Sequence, residues 1–181
     1  SGKLKSKDAL NSLTKLIVEA DNRETVLRHG GICGLAGTAT PSELKGLFRH
    51  SSEALRIAAV VALRRQKAFE ELTTFLDDPS PQVMSDAARA LYDEASGETF
   101  TDHPDILSAL AKCLHPSRPA PVNVRAIAAN RRLGTIEAAR RVVAFLVTPK
   151  LDPALRIEAL YSLESWPDAS TLDPMDGRHF P

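Results

Sequence analysis

Apolar and polar positions in this chain follow a helical grid that repeats. Counting Leu55 as zero, apolar or small residues fall at offsets 0, 4, 5, 7 and 8 through Leu63, with arginine at offset 1. The same grid fits from Leu27 and from Val83, where Met84 replaces the arginine. It fits again from Leu155, where Ser162 stands at offset 7. A weaker copy starts at Val124-Arg125, and there Arg131 and Arg132 occupy the last two offsets. Offsets 0, 4, 5 and 8 share one face of a helix with 3.6 residues per turn. Each copy therefore predicts a helix with a seam of small residues. Offsets 2, 3 and 6 should point away from that seam.

A second stripe precedes each copy. Leu10, Leu13 and Ile17 come before the first, and Leu44, Leu47 and Phe48 before the second. Phe69, Leu72, Phe75 and Leu76 precede the third, Leu107, Leu110 and Leu114 the fourth, and Ala139, Val143 and Leu146 the fifth. Large residues on an outer helix can cover small ones on an inner helix. Boundary residues agree with these limits. Ser80-Pro81 and Asp152-Pro153 each place a capping oxygen before a proline at the first helical position. Ser52 and Asn22 offer weaker caps. Gly134 can end the fourth inner helix in a left-handed conformation.

One helix pair cannot bury both of its apolar faces, whereas a stack of pairs can. The expected fold is all-α: a right-handed α-solenoid of about five HEAT-like helix pairs. The array is expected over residues 3–166, with repeats near 4–37, 40–65, 67–95, 103–134 and 135–166. Residues 1–2 (Ser-Gly, without methionine) read as an expression scar. Residues 167–181 read as an irregular cap or linker, with Trp166 covering the end of the stack. The anchors at 83 and 124 are spaced more widely than the others. The surplus falls at 96–102 and 115–121, which read as loops.

Composition narrows the functional classes. Aromatics are only 5% of the 181 residues, which suits close helix packing better than a β-sandwich. The 23 basic and 23 acidic residues cancel, so global charge does not support non-specific nucleic-acid binding. No apolar run is long enough to span a membrane. Cys33 and Cys113 lie within apolar helical patterns and read as buried free thiols. The arginines at offset 1 (Arg28, Arg56, Arg125 and Arg156) are expected to bond to neighbouring helix ends and to acidic caps such as Asp78 and Asp152. A ligand-binding ladder is the alternative.

The pattern Asp78-Pro79-Ser80-Pro81-Gln82-Val83, and Asp152-Pro153-Ala154-Leu155-Arg156 continuing to Leu160, resembles HEAT-like repeats, including the short type named after phycobilisome lyases. A narrower resemblance runs through Val124 to Gly134 and from Glu158 through Trp166-Pro167 to Arg178. It is to the HEAT segment of large exported bacterial proteins of the membrane-bound dehydrogenase or haem-binding type. There a β-propeller precedes the HEAT segment and a c-type cytochrome domain follows. The resemblance implies a scaffold segment in an exported, periplasmic or membrane-associated protein. The parent could be a dehydrogenase, but none of its catalytic residues maps onto this chain. Cys-x-x-Cys-His, the covalent haem signature, is absent from the sequence.

No residue pattern calls for a metal, a cofactor or a catalytic role. His103 and His115 flank one helix and would stand about 18 Å apart along it. His29-Gly30-Gly31 sits within a helix, where glycine serves packing better than phosphate binding. Charge is uneven: residues 66–106 hold ten acidic and two basic residues, and residues 118–156 hold eight basic and two acidic. The expected function is a non-catalytic scaffold, monomeric in isolation, that holds flanking domains or another protein chain. Its candidate surface comprises Ile57, Val61, Ile127, Asn130, Ile157 and Tyr161. Arg125, Arg131, Arg132, Arg140 and Arg141 form its charged rim. Two competing readings are kept. One is nucleic-acid or polyanion binding through the arginine zone. The other is a HEAT-like DNA glycosylase or chromophore lyase.

Overall fold

The computed structural model describes the backbone of residues 2–95 and 104–166, and the side chains of 8–93 and 104–166. Every regular element among these residues is helical. The α-helices are α1 (Gly2–Ala20), α2 (Thr25–Thr38), α3 (Pro41–Gly46), α4 (Glu53–Arg65) and α5 (Phe69–Leu72). They continue with α6 (Pro81–Ala95), α7 (Pro104–Lys112), α8 (Ala120–Leu133), α9 (Ile136–Leu146) and α10 (Pro153–Glu164). Short 3-10 turns extend α3 through Leu47–Arg49 and α5 through Thr73–Asp77. The chain divides into two compact units, 1–90 and 91–181, with the boundary inside α6.

In the first unit the caps follow local chemistry. Ser52 Oγ accepts from the Leu55 amide, and Ser80 Oγ from those of Gln82 and Val83. Thr40 and Glu43 form a reciprocal capping box at the start of α3. Asn22 does not cap α2. It sits in the left-handed region (φ 59°), and α2 begins after Glu24, whose side chain makes no capping bond. The reversal between α1 and α2 uses Asn22 for its backbone conformation instead.

Helix α2 packs between α1 and α4. A Cβ on Gly31 would lie 2.6 Å from Cγ1 of Ile17, and one on Gly34 2.6 Å from Cδ2 of Leu13. The missing side chains thus set how closely α1 approaches. Gln66, at the end of α4, donates through Nε2 to the carbonyls of Ala36 and Ala39 at the end of α2. The C-terminal ends of α2 and α4 therefore meet. Leu35, Leu44, Leu55, Leu63, Leu72 and Phe75 fill the core beneath them. Phe48 meets Phe75 edge to face, with ring centroids 5.6 Å apart. Leu27 is a correction: expected on the seam, it is 44% exposed.

In the second unit α8 contacts α7, α9 and α10. Ile127, Val142, Phe145, Leu151, Leu155 and Ala159 form its core, and Trp166 packs partly buried against them. Asn123 is fully buried and ties down the loop before α8: its Oδ1 accepts from the His115 amide, and its Nδ2 donates to the Arg118 carbonyl. Gly134 ends α8 at φ 62°, in the left-handed conformation its sequence position suggested. Thr135 and Asp152 cap α9 and α10. Leu160, expected on the α10 seam, is instead half exposed, while Ala159 and Ser162 carry the contact.

Candidate functional site

Ile57 and Val61 stand one turn apart on α4, and both are partly exposed. With Val60 and Arg64 they complete the i, i+3, i+4, i+7 spacing of a single helical face. That face forms the middle of a groove of about 590 Å³ within residues 1–90. One side comes from Thr25, Arg28, His29 and Ile32 of α2, which repeat the same spacing. Asp86, Arg89 and Ala90 of α6 complete the other. Small inner-helix residues explain why the groove exists. Ala58, Ala59 and Ala62 are fully buried on the opposite side of α4, so its neighbours approach there. The larger β-branched residues are left facing outward.

The floor of the groove is aliphatic and its rim is cationic. Arg28, Arg64, Arg65 and Arg89 line it beside His29, against a single carboxylate, Asp86. Asp86 accepts from Nε2 of Gln82. Arg65 donates to Sγ of Cys33, which also lies 3.6 Å from Nε2 of His29. Cys33 is therefore exposed and not buried as its apolar surroundings in sequence implied; Cys113 is partly buried. On α2 the cysteine falls on the arc that turns toward the arginines of α4.

The second unit does not present the expected surface as a whole. Ile127 and Asn130 are buried, at 1% and 0% exposure, and are removed from it. Ile127 stands at offset 3, which Ala58 holds on α4 and where it is equally buried, so that offset faces a core in both units. Asn130 serves as a connector there. Its Nδ2 donates to the carbonyls of Ala111 and Ala126, and its Oδ1 accepts from Nε of Arg141. Ile157 and Tyr161 are more than half exposed. Tyr161 borders a smaller hollow of about 240 Å³ with Ile127 at its floor and Arg131, Glu158 and Glu164 around it.

The arginines assigned to the rim have separate roles. Arg125 bonds to the carbonyl of Pro121, and Arg132 lies over the Tyr92 ring, 4.5 Å from its centroid. Arg141 holds Asn130, leaving Arg140 exposed and Arg131 at the small hollow. The cationic surface that lines a groove belongs instead to α2, α4 and α6. Sequence reasoning missed it because Arg28 was read as a structural arginine, and Arg64 and Arg65 fall just beyond the repeated grid. Their signal was the i+3 and i+4 spacing from Val61, itself one turn beyond Ile57. His103, His179, the 96–102 loop and the 167–181 tail lie outside the described residues. No helix among the described residues is long and apolar enough to cross a membrane. No family model matches the chain, and neither a curated protein nor a solved structure was found to be similar to it.

Proposed function

We propose that the chain is a non-catalytic protein-interaction module whose first unit carries the docking groove. The observation that carries this reading is the aliphatic floor made by Ile57, Val61 and Ile32 between three helices. Helix positions turned away from a core are ordinarily polar, and an apolar groove bordered by charge is the usual composition of a recognition surface. In the same reading the five helix pairs are successive repeats of one right-handed HEAT-like solenoid. Support comes from the repeated inner-helix grid and from the meeting ends of α2 and α4. In the exported redox proteins that the repeats resemble, the partner would be a flanking domain.

The test uses the wild-type chain and Val61→Glu as paired baits, after their thermal midpoints have been matched. A partner must be retained by the wild type, lost with the variant, and then bind again as a purified protein at one-to-one stoichiometry. If no protein separates the two baits in this way, the reading fails.

A further inference from the structure

The groove of residues 1–90 combines two demands that few ligands meet together. Its floor offers aliphatic contact from the partly exposed Ile57 and Val61. Its lining also holds Arg28 and Arg65, two exposed arginines on neighbouring helices, in a chain whose net charge is zero. We propose that the occupant is an acidic segment of a partner protein, with aliphatic side chains seated between α2 and α4 and carboxylates set against the arginines. This inference rests on the reading of the chain as a protein-interaction module and names the chemistry of its partner.

Charge complementarity selects the sign of the partner. Guanidinium groups present planar forks that match carboxylates at two points. Arg28 and Arg65 are exposed on neighbouring helices and flank the aliphatic floor. The floor then selects the class. A nucleic acid would draw on several aromatic platforms for its bases, and no Phe, Tyr or Trp lines the groove, where His29 is the one aromatic ring. Valine and isoleucine gain nothing from a sugar-phosphate backbone, but they bury leucine or valine side chains well. Size fits a short segment. Three packed helices with axes 8–10 Å apart span roughly 20 Å, which is about six residues of extended chain.

The experiment selects a displayed library of random twelve-residue peptides on the whole chain, with counter-selection on Arg28→Glu/Arg65→Glu. Both substituted positions are exposed, so the variant is expected to fold, and circular dichroism checks this. The expected winners combine Asp or Glu with Leu, Ile or Val. A fluorescent copy of one winner should lose about tenfold or more in affinity on Arg28→Glu/Arg65→Glu and on Val61→Glu. Its binding should also weaken as salt rises. Enrichment of basic or uncharged peptides, or no enrichment, overturns the proposal. So does a single-stranded oligonucleotide that binds more tightly than the peptide and is lost with the same arginine variant. The two readings fail separately. A purified partner lost with Val61→Glu but unaffected by Arg28→Glu/Arg65→Glu keeps the interaction module and removes the acidic occupant. Failure of both experiments removes both.

Discussion

Arg56 and Asp78, twenty-two residues apart, meet in a buried two-point ion pair: Nε to Oδ2 at 2.8 Å and Nη2 to Oδ1 at 3.2 Å. The pair is tied to the backbone on both sides. Nη1 of Arg56 donates to the carbonyls of His50 and Ser51, and Oδ1 of Asp78 accepts from the Ser80 amide. The two side chains thus join the turn before α4 to the turn before α6. With exposures of 9% and 0%, removing either partner strands a desolvated charge. Arg56→Ala or Asp78→Ala should each cost about 3–5 kcal/mol, and the double variant much less than their sum. Denaturant titration of the four proteins measures this. Additive losses would show that the two residues act independently.

Glycines in α2 should respond oppositely to the same substitution. Gly30 and Gly37 have open space where a Cβ would go, whereas Gly31 faces the buried, β-branched Ile17 at 2.6 Å. Gly30→Ala and Gly37→Ala should each stabilise by up to ~1 kcal/mol through helix propensity. Gly31→Ala should destabilise by ~1–3 kcal/mol as α1 is pushed outward. Thermal midpoints of the three variants settle the order, and a gain at Gly31 would contradict the α1–α2 packing.

Spacing places Ile127 and Tyr161 on one surface, and burial separates them. Ile127→Asp places an unpaired carboxylate in the core of the second unit and should cost ~4 kcal/mol or more. Tyr161→Asp, at a position 65% exposed, should change stability by no more than ~0.5 kcal/mol. Urea unfolding followed by circular dichroism separates them; equal effects would refute the assigned burial.

Lys67 ends α4 in the left-handed region at φ 56°, while its amide bonds to Arg64 and that of Ala68 to Leu63. This is the paired-bond cap that glycine ordinarily completes. Lys67→Gly should therefore stabilise by up to ~1 kcal/mol, as relief of the Cβ clash outweighs the added freedom of the unfolded chain. A lower midpoint in thermal unfolding would show that the lysine side chain contributes more than its backbone costs.

Much of the helical layout was legible because its determinants are local. The 3.6-residue spacing placed the helices, and Ser80-Pro81, Asp152-Pro153 and Gly134 marked ends by chemistry confined to a few residues. Lys67 performs the same task as Gly134 without a glycine to announce it. The candidate site was only half legible. Ile57 and Val61 lie where spacing put them, at the groove, but Asn130, at the same offset as Val61, is buried, and Ile127 shares the offset of the buried Ala58. Spacing on one helix tells which residues share a face; it does not tell how many other helices lie against that face. The arginines show the same limit. Arg56 finds Asp78, while Asp152 uses its carboxylate on the amide of Ala154 and Arg156 donates to the carbonyl of Thr148.

The Arg56–Asp78 pair also bears on how such a chain can gain or lose length. Excising the helix hairpin 40–65 would remove the arginine and leave Asp78 behind, buried and unmatched. Excising 55–82, one full 28-residue period, would take both partners together, and duplicating it would supply both. A change of length in this part of the chain therefore keeps the ion pair whole only if it takes α4 together with the α5 segment that follows it. The frame of such a change is set by a buried charge and runs across the hairpins that the eye picks out.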